Sequence, residues 1–326
     1  MNFVKYVLDH NGIIKPLLIS PEHTNGTGLC NPSILIKEEK ILVNLRHLQY
    51  TLYHSEKQNF EHPYGPLVYL HPENDCTLTT TNFYCELNDS LDITYYSKVD
   101  TSNFDIPPKW EFVGLEDARL IHWDNKLYLC GVRRDLDTIG TGRMELSEIV
   151  KHDNKIVEIS RARIPAPPPD KEYCNKNWMP ILDQPYHFVK WVNGTEIVKF
   201  DPVGLTTKTV IQKDRVYNSK DMRGGSQVLP FKNGYFCLIH ETDLYKSEAG
   251  RKDATYRHKF VVWDKNWNII KISKEFSFLN AKIEFACGMA KLKNDYLITF
   301  GFQDNAAYIL KVNEQVIEDF IDDKIN

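Results

Sequence analysis

Two carboxylates stand side by side at Glu116 and Asp117 in the stretch VGLEDARLIHWDNKLYLCGVRRD (113–135), and two guanidinium groups, Arg133 and Arg134, close it. An acid that can hold a proton near neutrality, facing cations that can hold an anion, is the basic equipment for general acid catalysis on a phosphate-containing substrate. Burial and the adjacent like charge would raise the pKa of Asp117, whereas nearby arginines would lower it. Neighbouring residues on a strand point to opposite faces, so strand geometry predicts that only one of these acids looks into a site.

The elements that must position these groups repeat along the chain. A short apolar run, a polar turn and a stronger apolar run recur at 32–46, 118–133, 179–192, 227–241 and 288–302. Their turns carry Glu-Lys, Asp-Asn, Asp-Gln-Pro, Lys-Asn-Gly and Lys-Asn-Asp, all suited to hairpin loops. Further strand-like segments follow the hairpins: PLVYLHP with NFYCELN, RMELSEIV with KIVEISRARI, TEIVKFD with TKTVIQ, HKFVVWDKNWNIIKIS, and AAYILKVN. Roughly four strands per unit describes a propeller blade, so five units predict an all-β, five-bladed β-propeller. No helical period of useful length precedes the tail EQVIEDFIDDKIN, which argues against α/β architectures. The expected organisation is one propeller domain over residues 1–326 with a short C-terminal tail, about 313–326. A pair of β-sandwiches divided at RIPAPPPDKE (163–172) is the alternative, but the hairpin rhythm continues across that proline run.

In a propeller the innermost strands line an axial channel, and residues flanking them gather at one mouth. Here these are Asn31 and Arg46 at the first hairpin and Glu116, Asp117, Arg119, Arg133 and Arg134 at the second. Lys176, Asn177 and Trp178 precede the third; Arg223 and Gln227 lie around the fourth, which His240 and Glu241 close; Glu284 and Asp304 bracket the fifth. Any one of them alone reads as a solvated charge or a satisfied core group. Recurrence at equivalent positions is what argues for a shared site.

Composition removes several classes. A formal net charge of -4 and a pI near 6.3 give no global field for a polyanion, and no run of five basic residues occurs. There is no stretch of 18 apolar residues and no signal-peptide pattern at the start, so a soluble, cytoplasmic protein without a membrane segment is expected. The seven cysteines have no CxxC pair and no zinc-ligand spacing, which predicts buried, reduced thiols in a reducing compartment. No HExxH or acidic metal loop is present, so no metal is expected.

With these residues assembled, the chain resembles the five-bladed propeller enzymes of glycoside hydrolase family 130, the β-mannoside phosphorylases, and their mannosyltransferase relatives. GLEDAR is similar to that family's acid motif, in which Glu or Tyr precedes Asp-Pro-Arg and the Asp is the general acid. GGSQVLPFKNGYFCLIHE resembles the blade whose strand ends in a phosphate-holding His, FGFQDNAAYIL the segment whose Asp binds the sugar beside the broken bond, and CNPSI with NLR the first blade. The likeness is closer to a branch carrying GLED-x-R, KNWMP, RGGSQ, a His-Arg/Lys-Phe element and IEF-x-x-GM, often found in or fused to glycosyltransferase proteins. Here these read GLEDAR, KNWMP, RGGSQ, RHKF and IEFACGM, and the likeness runs from about residue 29 to 312. One departure is Ala118, where the phosphorylases have proline.

The resemblance implies glycosyl transfer by single displacement with inversion, as a glycosyltransferase or glycoside phosphorylase. Asp117 would be the general acid; Arg46, one of Arg133 and Arg134, His240 and Lys176 would hold phosphate. Asn31, Glu116, Arg119, Asn177, Trp178, Arg223, Gln227, Tyr256, His258, Glu284 and Asp304 would contact substrate, with Trp178 and Tyr256 as aromatic candidates for stacking on a sugar, although a core indole is the favoured role for Trp178. No cofactor is implied; the co-substrate would be inorganic phosphate or a nucleotide sugar, and the acceptor a saccharide or glycosylated molecule, with a nucleic acid left open. The competing readings are a non-catalytic glycan-binding propeller and a protein-interaction propeller.

Overall fold

The computed structural model describes residues 1–53, 68–70, 77–169, 172–217, 222–246 and 252–322, excepting the side chains of 51–53, 68–70 and 252. Strands dominate, and they form five antiparallel blades. Blade 1 is Leu29–Lys37, Lys40–Leu48, Leu78–Leu87 and Ile93–Asp100. Blade 2 is Glu116–Trp123, Lys126–Arg133, Arg143–His152 and Lys155–Arg163. Blade 3 is Met179–Pro180, His187–Trp191, Glu196–Asp201 and Thr206–Gln212. Blade 4 has a divided inner strand, Arg223–Gly224 and Leu229–Phe231, followed by Gly234–Lys246, Lys252–Asp264 and Ile269–Ile272. Blade 5 is Glu284–Leu292, Asp295–Phe302 and Ala306–Asn313, and its outer strand is Ile13–Pro16 from the N-terminus.

The five-bladed reading therefore holds, and the sandwich division does not. Two strand assignments differ. PLVYLHP is no part of blade 1: its described portion, Val68–Leu70, pairs with Thr51–Tyr53 as a separate ribbon, and the outer strand of the blade is Ile93–Asp100. The Ile13–Pro16 strand escaped notice because four residues give no periodicity to count, yet it joins the two ends of the chain in one sheet. Cys76 and parts of the proline run and C-terminal tail lie outside the described residues.

Each blade interface has its own apolar cluster, which explains why inner strands such as Glu284–Leu292 are buried on both faces. Leu120 and Leu129 meet Leu42 between blades 1 and 2; Trp123 and Tyr128 meet Phe188 and Phe200 between blades 2 and 3. Ile197 meets Val261 and Trp263, Phe236 meets Tyr296 and Phe300, and Leu297 meets Ile34 and Leu45 round the rest of the ring. Full burial of such a side chain contributes roughly 1.5–3 kcal/mol. Two short helices, Phe3–Asp9 and Glu314–Ile321, are capped by the side chains of Asn2 and Asn313 and add Phe3 and Phe320 to the cluster between blades 4 and 5. Among the described residues no helix is long and apolar enough to cross a membrane. The six described cysteines are free thiols, all buried except the half-buried Cys174.

Along the axis the inner strands are tied by side chains. Gln227 donates to the carbonyls of Ile34 (2.7 Å) and Leu120 (3.1 Å) and accepts from the Met289 amide (3.1 Å), joining blades 4, 1, 2 and 5. Ser33 donates to the Ala118 carbonyl (2.7 Å) and accepts from the Leu120 amide (2.9 Å). Each of these side-chain groups in the hub has a partner, as burial demands.

Candidate functional site

At one end of that hub the inner strands of blades 1 and 2 bulge. Glu116 pairs with Val132 and Arg119 with Cys130, so Asp117 and Ala118 together face Gly131. Asp117 takes a left-handed backbone, φ 51°. Any side chain at Gly131 would collide with the Glu116 carbonyl, so the close approach requires glycine there. The bulge breaks the alternation that would have separated the two acids. Both reach Arg46: Asp117 Oδ1 lies 2.7 Å from Nη1 and Glu116 Oε2 3.8 Å from Nη2.

The same device appears in two other blades. Asn31 (φ 43°) bulges between the Cys30–Arg46 and Ser33–Asn44 pairs, and Asn177 (φ 60°) precedes the inner strand of blade 3. Asn and Asp adopt this conformation more readily than other side-chain-bearing residues, so Asn-Pro-Ser, Asp-Ala-Arg and Asn-Trp-Met are one motif in three forms. The Ala118 carbonyl accepts from Ser33 Oγ and from Asn44 Nδ2 (3.2 Å), which ties the bulge to blade 1.

Asp117 is held tightly. Its Oδ1 accepts from Asn31 Nδ2 (2.8 Å) as well as Arg46, and its carbonyl accepts from Arg119 Nη1 (2.8 Å). Burial pushes its pKa up, but Arg46, Arg119, the Asn31 hydrogen bond and Lys176 together hold it below the ordinary aspartate value. Burial works against the charge on Arg46, yet Asp117, Tyr50, Cys30 and Glu116 hold its pKa well above the usual one. Thr80, which the sequence reading missed, braces Arg46 by accepting from Nε and Nη2 at 3.1 Å each.

Asp304, at a left-handed hairpin tip (φ 51°) in blade 5, belongs to the same electrostatic cluster. Burial raises its pKa to about 6; Arg46 and Lys176 oppose the shift, and Asp117 and Glu116 add to it. This cluster of charges, the cup, holds one carboxylate pushed down and one pushed up.

Its other wall comes from blades 3 and 4. Lys176 is exposed and acts electrostatically on Asp117, Asp304, His240 and Tyr256. Arg223 pairs in register with His240, whose ring stacks on Tyr256 with centroids 5.2 Å apart. Phe285 joins the two walls, lying 5.6 Å from the Arg119 guanidinium and edge-on to His240 at 4.9 Å. Burial first, then His258, Arg223, Lys176 and Arg119, holds His240 well below the ordinary histidine pKa, so the imidazole is neutral. Three buried polar atoms here lack hydrogen-bond partners: Asn31 Oδ1, Asn177 Oδ1 and His240 Nδ1. That contrasts with the satisfied hub.

The remaining expected site residues are engaged elsewhere. Arg133 does not answer Asp117; its charge goes to Glu145 (2.7 Å) and Asp135 (3.3 Å). Arg134 lies over Phe112 (4.8 Å) and donates to the Gly140 carbonyl and Tyr173 hydroxyl. The bases that close the opening hairpin are therefore not the counter-charges of its acids; Arg46 and Arg119 are. Arg119 is a brace, with Nε and Nη2 donating to the Gly225 carbonyl, and Gln227 is spent on the hub. Trp178 is a core indole beside Phe188 rather than a stacking platform. Glu284 accepts from the Phe278, Leu279 and Ala281 amides, and His258 accepts from the Ala286 amide against Phe278. Sequence position put all of these near the mouth; the neighbouring backbone amides and carbonyls that occupy them left no mark in the sequence.

No protein-family model and no curated protein matches the chain. Solved structures do. A β-1,2-mannobiose phosphorylase from Listeria innocua has TM-score 0.56 at 14% identity, covering 95% of this chain and 96% of its own. A mannose phosphorylase from Leishmania mexicana in complex with phosphate ion has TM-score 0.50 at 12% identity, covering 95% and 92%. A structure described as belonging to the GH130 family of mannoside phosphorylases, containing glycoside hydrolases that target β-1,2 mannosidic linkages in Candida mannan, has TM-score 0.54 at 13% identity, covering 89% and 85%. At these identities the likeness establishes the fold, which is shared along nearly the whole chain.

Proposed function

We propose that this protein is a carbohydrate-active enzyme that moves a glycosyl unit between a saccharide and phosphate in one inverting displacement. The observation that supports this reading is the charge cluster: Asp117, fixed by Arg46 and Asn31, lies in the field of Lys176, which together with Arg223 also acts on His240. The fold shared with mannoside phosphorylases supports it and makes β-mannosides the first substrates to try.

In the degradative direction a phosphate oxygen forms a bond to the anomeric carbon while the glycosidic C–O bond breaks, and a proton passes to the departing oxygen. Asp117 is the proton donor in this scheme. It rests ionised because Arg46, Arg119 and Lys176 hold it so; a phosphate dianion settling at Lys176 cancels part of that field and raises its pKa, so anion binding and proton uptake are coupled. His240 is neutral and its unpartnered Nδ1 contributes a hydrogen bond rather than a charge. Asp304 orients the transferred sugar through hydroxyl groups. Arg133 and Arg134 have no part in this scheme.

Incubation of the protein with phosphate and a panel of β-mannosides, followed by ³¹P NMR, tests the reading. A sugar 1-phosphate of inverted configuration is expected, and Asp117→Asn should abolish it. Release of free sugar with no phosphate incorporation would replace phosphorolysis with hydrolysis. Absence of any turnover or of any thermal shift with sugar phosphates and nucleotide sugars would refute the enzymatic reading.

A further inference from the structure

Between blades 1 and 2 lies a cavity of about 360 Å³, within the roughly 300–1,000 Å³ range of small-molecule sites, and Asp117 is not among its lining residues. Thr80 belongs to both places, since it lines this cavity and braces Arg46. The floor is an ion network that the proposed reaction does not use. Arg133 is held between Glu145 and Asp135, while Glu158 is held by Arg161 and Ser147.

Asp135 is the informative residue. It is 4% exposed and lines the cavity. Its Oδ2 accepts from the Gly114 amide (3.0 Å) and Arg133, whereas its Oδ1 is buried with no partner. A buried carboxylate oxygen without a donor is costly, so the cavity asks for a guest that donates hydrogen bonds. The lining carboxylates Asp105, Asp135 and Glu158 outnumber the lining cations Lys98 and Arg133, which disfavours an anion. Threonine hydroxyls at 79, 80 and 81 can donate or accept, and Val113, Leu115 and Leu129 offer apolar surface. Hydroxyls on one side and C–H faces on the other are what a neutral pyranose presents.

We infer that this inter-blade cavity is a second binding site, for a neutral hexopyranose, distinct from the cup. The inference rests on the proposed carbohydrate function for its choice of sugar, but its geometry is independent of Asp117 chemistry. The site would hold a free sugar or a distal unit of a longer chain.

Methyl NMR on the full-length protein tests it, with mannose, glucose and galactose each titrated singly. The methyl signals of Val113, Leu115 and Leu129 should shift saturably with at least one of them. In Asp135→Asn, whose methyl signals outside the cavity should match those of the native protein, the midpoint should rise at least tenfold. In Asp117→Asn it should not move, which separates this site from the cup. Cavity methyls that stay fixed with all three sugars, as expected of a cavity that holds only water, would overturn the inference. An Asp135→Asn midpoint equal to the native one would do the same. Saturable cavity shifts in a protein that turns over no glycoside would leave this site standing and remove the proposed reaction.

Discussion

Two sets of buried polar groups lie along one axis, and they differ in how completely they are satisfied. In the hub, Gln227 and Ser33 use their hydrogen-bonding groups on the backbone of neighbouring blades. In the cup, Asn31, Asn177 and His240 each keep a buried atom without a partner, and carboxylates of opposite tendency crowd round Arg46. Satisfied polar groups fix a fold; unsatisfied ones tolerate their cost where a ligand completes them. Burial alone does not separate the two, since Gln227 and His240 are both almost wholly inaccessible.

The contrast can be broken from either side. The largest effect is expected on the cup's chemistry: Asp117→Asn should lower kcat by about 10²–10⁴-fold, as loss of a general acid does, measured on whichever β-mannoside is turned over. The hub should respond in stability instead. Gln227→Leu strands two carbonyls and an amide, so unfolding in urea should show about 3–6 kcal/mol lost, with KM unchanged in whatever folded protein remains.

Asp304→Asn should act in the opposite sense. The folded-state pKa, about 6, lies above the unfolded value, so between those two values the native state holds a proton that the unfolded chain has released. Stability from this group is therefore greatest at low pH and falls as pH rises through about 6. Replacing the carboxyl should stabilise the protein at pH 8 by up to roughly 3 kcal/mol and do nothing near pH 3, while activity falls. A flat difference across pH would remove Asp304 from the cup's field. The smallest change is expected at Arg134→Ala, about 1 kcal/mol or less in stability and under twofold in the KM for phosphate. A hundredfold rise in that KM would restore the arginine pair to the anion site.

Much of this was legible in the sequence where repetition gave several chances to see one signal. Five hairpins announced five blades, and Asn31, Asp117 and Asn177 could be singled out because each flanks an inner strand at an equivalent position of its repeat; the left-handed backbone they share appears only in the structure. What could not be read was direction. Strand alternation assigned one of Glu116 and Asp117 to the site; the bulge opposite Gly131 assigns both to Arg46. Arg133 and Arg46 look alike in one dimension, and only the placement of Glu145 and Asp135 beside the first separates them. Trp178 and Glu284 were near the mouth in sequence but turned into the core, because their partners come from segments no local pattern identifies.

Where an anion settles on the protein is the most direct test of the cup. A crystal structure of the protein grown with phosphate should show the ion at the cup's mouth, touching Lys176 and within reach of Arg223 and His240, with Asp117 still on Arg46. Phosphate found at Arg134 or on the outer blades, with the cup occupied by water alone, would contradict it.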